Sequence, residues 1–111
     1  MPNLHEKKCL ACEGIGAALN DAAITDLIAK LNPTWQLSAD KTSIKRRFDF
    51  KGFAKTIGFV NAVAWIASQE NHHPDVQFGY NYCEVIFTTH ALKGLSENDF
   101  ICAAKVDLLL S

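Results

Sequence analysis

Three of the four histidines of this chain lie between residues 71 and 90, as the pair His72-His73 ahead of Pro74 and as His90. Histidine is the side chain whose ordinary charge change falls nearest neutral pH, so imidazoles grouped in this way point to proton transfer or to metal ligation. Pro74 disfavours helical geometry at the residue before it, so a helix running into the pair must end there. Two rings are then held on a stiff corner. The dipoles at a helix C-terminus favour a protonated ring. His90 falls at the predicted end of a strand, an edge position suited to a site rather than a core. From spacing alone three readings stay open: acid–base chemistry, a zinc site of three imidazoles, or no site at all, with each histidine a cap or a surface residue. Against a metal, adjacent side chains rarely point the same way, and no carboxylate or cysteine stands at ligand spacing beside the pair.

The elements that must position these histidines can be read from periodicity. Ile24, Leu27, Ile28 and Leu31 share one face of a helix predicted over 21–31, capped by Asn20 or Asp21 and ended by Asn32-Pro33. Short strands follow at 35–37 and 44–51, joined by the turn residues Asp40-Lys41-Thr42. In the second, Ile44, Phe48 and Phe50 share a face opposite Lys45, Arg47, Asp49 and Lys51. The longest helix is predicted over 52–70. Its main apolar stripe is Phe53, Ile57, Val60, Ala64 and Ala67. Phe59, Val63 and Ile66 widen the stripe beyond one face, so that Phe59 and Val63 are expected to face outward, covered by a second subunit. Extended segments at 76–78 and 82–89 come next, with Cys83, Val85 and Phe87 on the core side. The last helix starts at the cap Ser96, with Asp99 as a box-like partner and Leu95 and Phe100 as a hydrophobic staple. Strand pairs separated by a helix imply an α+β fold: a four-stranded antiparallel sheet with three helices packed on one face.

The chain has 111 residues, 49% apolar and 21% charged, with a net charge of −1. That size and balance fit one globular domain spanning 1–111, its first 19 residues an irregular arm. The near-neutral charge gives no attraction to nucleic acid. With no stretch apolar enough for a membrane span or a signal peptide, a cytoplasmic protein with reduced thiols is expected. His5, Cys9 and Cys12 could hold zinc, and Cys9-x-x-Cys12 could be a redox pair. Neither has the second ligand pair or the preceding strand such sites need.

His72-His73-Pro74, the aromatic Tyr80, Thr88-Thr89-His90 and Gly94-Leu95-Ser96 with Asp99 together resemble the pterin-4a-carbinolamine dehydratase family, most closely its bacterial branch associated with phenylalanine hydroxylase. The likeness extends upstream to Trp35, to Phe48-Asp49-Phe50 and to the start of the long helix. It implies dehydration of 4a-hydroxytetrahydropterin to quinonoid dihydropterin and water, without metal or organic cofactor, by a homodimer or homotetramer. An aromatic amino acid hydroxylase is the implied partner. Carried over by the resemblance, His72, His73 and His90 are the catalytic set, and Asn71, Thr88 and Thr89 line the pterin pocket. Our division gives proton transfer to His72 and His90, and the holding of the pterin to His73. Two positions depart from the family pattern. Ser68 replaces an ionisable, commonly acidic residue, and Asn71 a frequent Asp. Both remove negative charge that favours a protonated imidazole. The alternative is a binding module, a partner of a hydroxylase or of a transcription factor, supported by the broad apolar surface of the long helix.

Overall fold

A computed structural model describes residues 3–10 and 16–110 of the chain. Three helices, α1 (Asp21–Ile28), α2 (Phe53–Glu70) and α3 (Glu97–Asp107), accompany four strands, β1 (Gln36–Leu37), β2 (Ile44–Asp49), β3 (Asp75–Phe78) and β4 (Tyr82–Phe87). The strands form one antiparallel sheet in the order β1-β2-β4-β3. This is the expected α+β architecture. Register follows from alternation: Ile44 pairs with Phe87 and Phe48 with Cys83 across β2 and β4, and all four are buried. Lys45, Arg47 and Asp49 turn to the other, exposed face. A shift of one residue would exchange the two sets, so the burial pattern pins the pairing. Trp35, Phe48, Phe59 and Phe87 form the aromatic centre of the core, with Phe48 and Phe59 centroids 4.5 Å apart.

Several boundaries differ from the sequence expectation. α1 ends at Ile28, because the amides of Lys30 and Leu31 bond to carbonyls three residues back and tighten the last turn. β4 ends at Phe87 instead of residue 89. Its partner β2 begins opposite Phe87, so no ladder remains for Thr88. The Thr88 hydroxyl donates to the carbonyl of Thr42 at 2.5 Å, and Thr89 pairs with Gly94. His90 therefore begins a short 3-10 turn, His90–Leu92, and does not end a strand.

The largest correction concerns α2. Its core face is Thr56, Phe59, Val63 and Ala67, while Phe53, Ala64 and Trp65 are exposed. Phe59 and Val63, expected outside, are therefore inside. A helix apolar around most of its circumference does not announce which stripe the sheet will take. Here the bulk of Phe59 fits between Phe48 and Phe50. Thr56 can be buried because its hydroxyl donates to the carbonyls of Gly52 and Tyr80.

Candidate active site

The corner that carries the histidine pair is built by the end of α2. Asn71 takes the left-handed conformation (φ 51°, ψ 41°), and the amides of both Asn71 and His72 reach the carbonyl of Ala67. This is a Schellman-type ending, in which Asn is favoured after Gly because its short polar side chain tolerates positive φ. Asn71 thus has a conformational reason to be there. Its side chain is exposed, as is that of His73.

His72 goes the other way. It is 7% exposed, and its ring lies 6.2 Å from that of Phe87 and nearly parallel to it. Its Nε2 is 2.6 Å from Oδ1 of Asp99, a carboxylate with no exposed surface. The other oxygen, Oδ2, accepts the backbone N–H of Ser96 at 2.9 Å and the hydroxyl of Thr89 at 2.8 Å. Since the Thr89 hydrogen is committed to Asp99, the 2.7 Å contact between Ser96 Oγ and Thr89 Oγ1 has Ser96 as donor. A buried carboxylate is tolerated only when its lone pairs are filled, and here each oxygen is engaged.

The hydrogen-bond directions decide what His72 can do. An ionised carboxylate only accepts, so His72 carries its proton on Nε2 and, when neutral, presents its lone pair on Nδ1. Among the described residues Nδ1 has no protein partner, and the one buried, unpartnered side-chain polar atom is Arg46 Nε. The only hydrogen bond of the His72 ring among the described residues is thus the one through Nε2. The arrangement is an imidazole held by a carboxylate on one nitrogen and open on the other, the geometry of a proton-transfer group.

His90 is exposed on the loop closed by the Thr89–Gly94 pairing. Lys93 takes positive φ there, and a Cβ added to Gly94 would lie 2.9 Å from that of Ala18, which leaves room only for glycine. His90 lines an open concavity of about 470 Å³ with Thr88, Lys93, Asp75 and Thr42; neither His72 nor His73 lines it. The fold brings His72 to Asp99, and Asp99 to Thr89, the neighbour of His90. Thr89, expected to line a pocket, is 1% exposed and has its hydroxyl turned into the buried network.

Glu70 faces away from the histidines: its carboxylate accepts the N–H of Cys9 and pairs with Lys105. The negative charge beside His72 comes from Asp99, the box-like partner of the Ser96 cap. The signal was the Ser96-x-x-Asp99 spacing, which turns a short carboxylate back over the helix N-terminus. Phe87, the floor under His72, gave no signal beyond its place in a core strand. Cys12 lies outside the described residues, so the Cys9-x-x-Cys12 and His5-Cys9-Cys12 readings do too. Among the described residues, no three His, Cys, Asp or Glu side chains converge as a metal would require.

Residues 17–109 match the family model described as pterin 4 alpha carbinolamine dehydratase. A relative from Legionella pneumophila (strain Corby), named provisionally as a pterin-4-alpha-carbinolamine dehydratase, is 59% identical over 97% of this chain and 96% of its own. One from Nitrosomonas eutropha, named in the same way, is 52% identical over 97% and 94%. Among solved structures, the transcriptional coactivator/pterin dehydratase from Brucella melitensis superposes with a TM-score of 0.79 at 29% identity, covering 85% of this chain and 99% of that one. A pterin dehydratase-like protein described as a RuBisCO assembly factor in the alpha-carboxysome gives 0.60 at 27% identity, over 68% and 88%. With a model match across most of its length and relatives above half identity, the chain belongs to the pterin-4-alpha-carbinolamine dehydratase family.

Proposed function

We propose that this protein dehydrates 4a-hydroxytetrahydropterin to quinonoid dihydropterin and water, and so restores the pterin used by an aromatic amino acid hydroxylase. The observation that carries the reading is the buried His72–Asp99 pair with its free Nδ1. Loss of water from C4a requires a proton delivered to the departing hydroxyl and another removed from a ring nitrogen. His72 is suited to the second task. Its Nδ1 lone pair takes the ring proton, while Asp99 fixes the tautomer and faces the imidazolium that forms. His90, exposed on its loop, supplies the proton to the hydroxyl, and His73 holds the pterin together with Asn71 and Thr88. Thr89 acts through Asp99.

The test follows the ultraviolet decay of 4a-hydroxytetrahydropterin generated by a hydroxylase, with the wild type, with His72→Ala/His90→Ala, and with neither. Acceleration by the wild type alone supports enzyme and site together. No acceleration by folded wild type would overturn the reading.

A binding role is the second reading, favoured by Trp65, which is 66% exposed on the outer face of α2. Large aromatics left exposed in this way are frequent anchors of protein interfaces. Both solved relatives carry protein-directed roles in their descriptions. Self-assembly into a dimer or tetramer through the same face is part of this reading. Trp65→Glu separates the two: it should break assembly or partner binding and leave dehydration intact. Charging Phe59 or Val63 cannot serve, because both are core residues.

A further inference from the structure

Cys9 and Cys102 are 93 positions apart in the chain, yet their Sγ atoms are 3.5 Å apart. The contact belongs to a built seam. The segment around Cys9 and Leu10 is held to α3 by a reciprocal pair, Leu10 N–H to Asn98 Oδ1 at 2.9 Å and Asn98 Nδ2 to the Leu10 carbonyl at 2.7 Å. The amide of Cys9 donates to Glu70 at the end of α2. Lys7 pairs with Glu97. Four contacts, to Glu70 on α2 and to Glu97 and Asn98 on α3, thus fix the arm where the two sulfurs meet.

We propose that Cys9 and Cys102 are a disulfide site, joined by a peroxide-class oxidant, that staples the N-terminal arm to α3. A disulfide needs the sulfurs roughly 1.5 Å closer than they are, a closure left to side-chain rotation because the hydrogen bonds to Asn98 already hold the arm against α3. Accessibility assigns the roles. Cys9 is half-buried and meets the oxidant, whereas Cys102 is fully buried. The hydrogen-bonding contact with Cys9, with burial, pushes the Cys102 thiol up.

In the first step the Cys9 sulfur, having lost its proton, attacks one peroxide oxygen. The O–O bond breaks, giving Cys9 sulfenic acid and a hydroxide that takes up the released proton as water. In the second step the Cys102 sulfur attacks the Cys9 sulfur. The S–O bond breaks, and the hydroxyl leaves as water with the Cys102 proton. Two thiols and one peroxide give one disulfide and two waters, with two electrons passing from the sulfurs to the peroxide oxygens. A dithiol reductant returns both thiols.

The experiment treats wild type, Cys12→Ser and Cys9→Ser/Cys12→Ser with hydrogen peroxide, then digests with trypsin without reduction. Cleavage after Lys8, Lys30, Lys93 and Lys105 puts Cys9 and Cys102 on separate peptides, 9–30 and 94–105. The expected result is a cross-linked pair, lighter by two hydrogens than its parts, in wild type and Cys12→Ser and absent from the double variant. The thermal midpoint of those two proteins should rise by about 5 °C or more on oxidation and fall back with dithiothreitol. Oxidation of Cys9 to sulfinic acid without a cross-link, or a Cys9–Cys12 bond in the wild type, overturns the proposal. So does an equal midpoint rise in Cys9→Ser/Cys12→Ser.

Discussion

Helix α3 carries an engaged aspartate at each end, and the two are built to different plans. Asp107, its last residue, accepts Trp35 Nε1 at 2.9 and 3.0 Å and pairs with Arg46 at 2.7 Å. Asp99, in its first turn, accepts one backbone amide, one hydroxyl and one imidazole. The helix dipole explains the difference. A negative charge at the C-terminal end is unfavourable, so Asp107 needs the permanent cation of Arg46, which lies over the ring of Phe48 on the core side of β2. A negative charge at the N-terminal end is favoured by the orphan amides there. Asp99 can therefore be fully buried with no permanent cation, and its remaining valence is spent on a group that titrates. A carboxylate locked to Arg holds structure together; one facing His can serve chemistry.

The contrast is open to direct attack. His72→Ala and Asp99→Asn are expected to lower the dehydration rate at least about 100-fold, the usual worth of a positioned acid or base. Steady-state rates on folded protein decide this. If Asp99→Asn lost stability but kept its rate, Asp99 would be no different in kind from Asp107. Next in size, Asp107→Asn should cost about 2 kcal/mol of stability in urea unfolding, the worth of hydrogen bonds to a charged group, with the rate nearly unchanged. Thr89→Val removes one donor from Asp99 and should cost about 1 kcal/mol, with a rate loss of up to about tenfold. A pH–rate profile that shifts with the substitution would separate an effect through His72 from simple loosening.

The smallest effect is on the arm. Burial opposes ionisation of Glu70, but the Cys9 amide and Lys105 together outweigh it and hold the carboxyl below its ordinary value of 4.5. A depressed folded value means that the contribution is fully present above about pH 4.5 and is lost as pH falls through that lower value. The Cys9 amide should therefore lose hydrogen-exchange protection on acidification before the sheet does, and Glu70→Gln should abolish that pH dependence.

Much of this was legible in the chain. The alternation in 44–51 and 82–89 determined which strand faces meet the helices, because a two-residue period leaves no choice once one face is apolar. Asn20 as a cap, the Ser96–Asp99 box and the stop at His72-His73-Pro74 are local chemistry, acting within four residues, and local chemistry is what a sequence states directly. The orientation of α2 was not legible, because both of its stripes are apolar and only the aromatic partners Phe48 and Phe50 favour Phe59 over Ile57. Nor was the division within the histidine pair. His72 turns inward because a left-handed Asn71 redirects the chain and because Asp99, 27 positions later, offers a buried acceptor. The same holds for Cys9, whose nearest cysteine in sequence is Cys12 and whose partner in space is Cys102. Residue types, caps and strand faces could be read from the chain alone. The buried face of α2 and the long-range partners came from tertiary packing, since contacts across tens of residues depend on how packed elements exclude water from one another and leave no trace in local spacing.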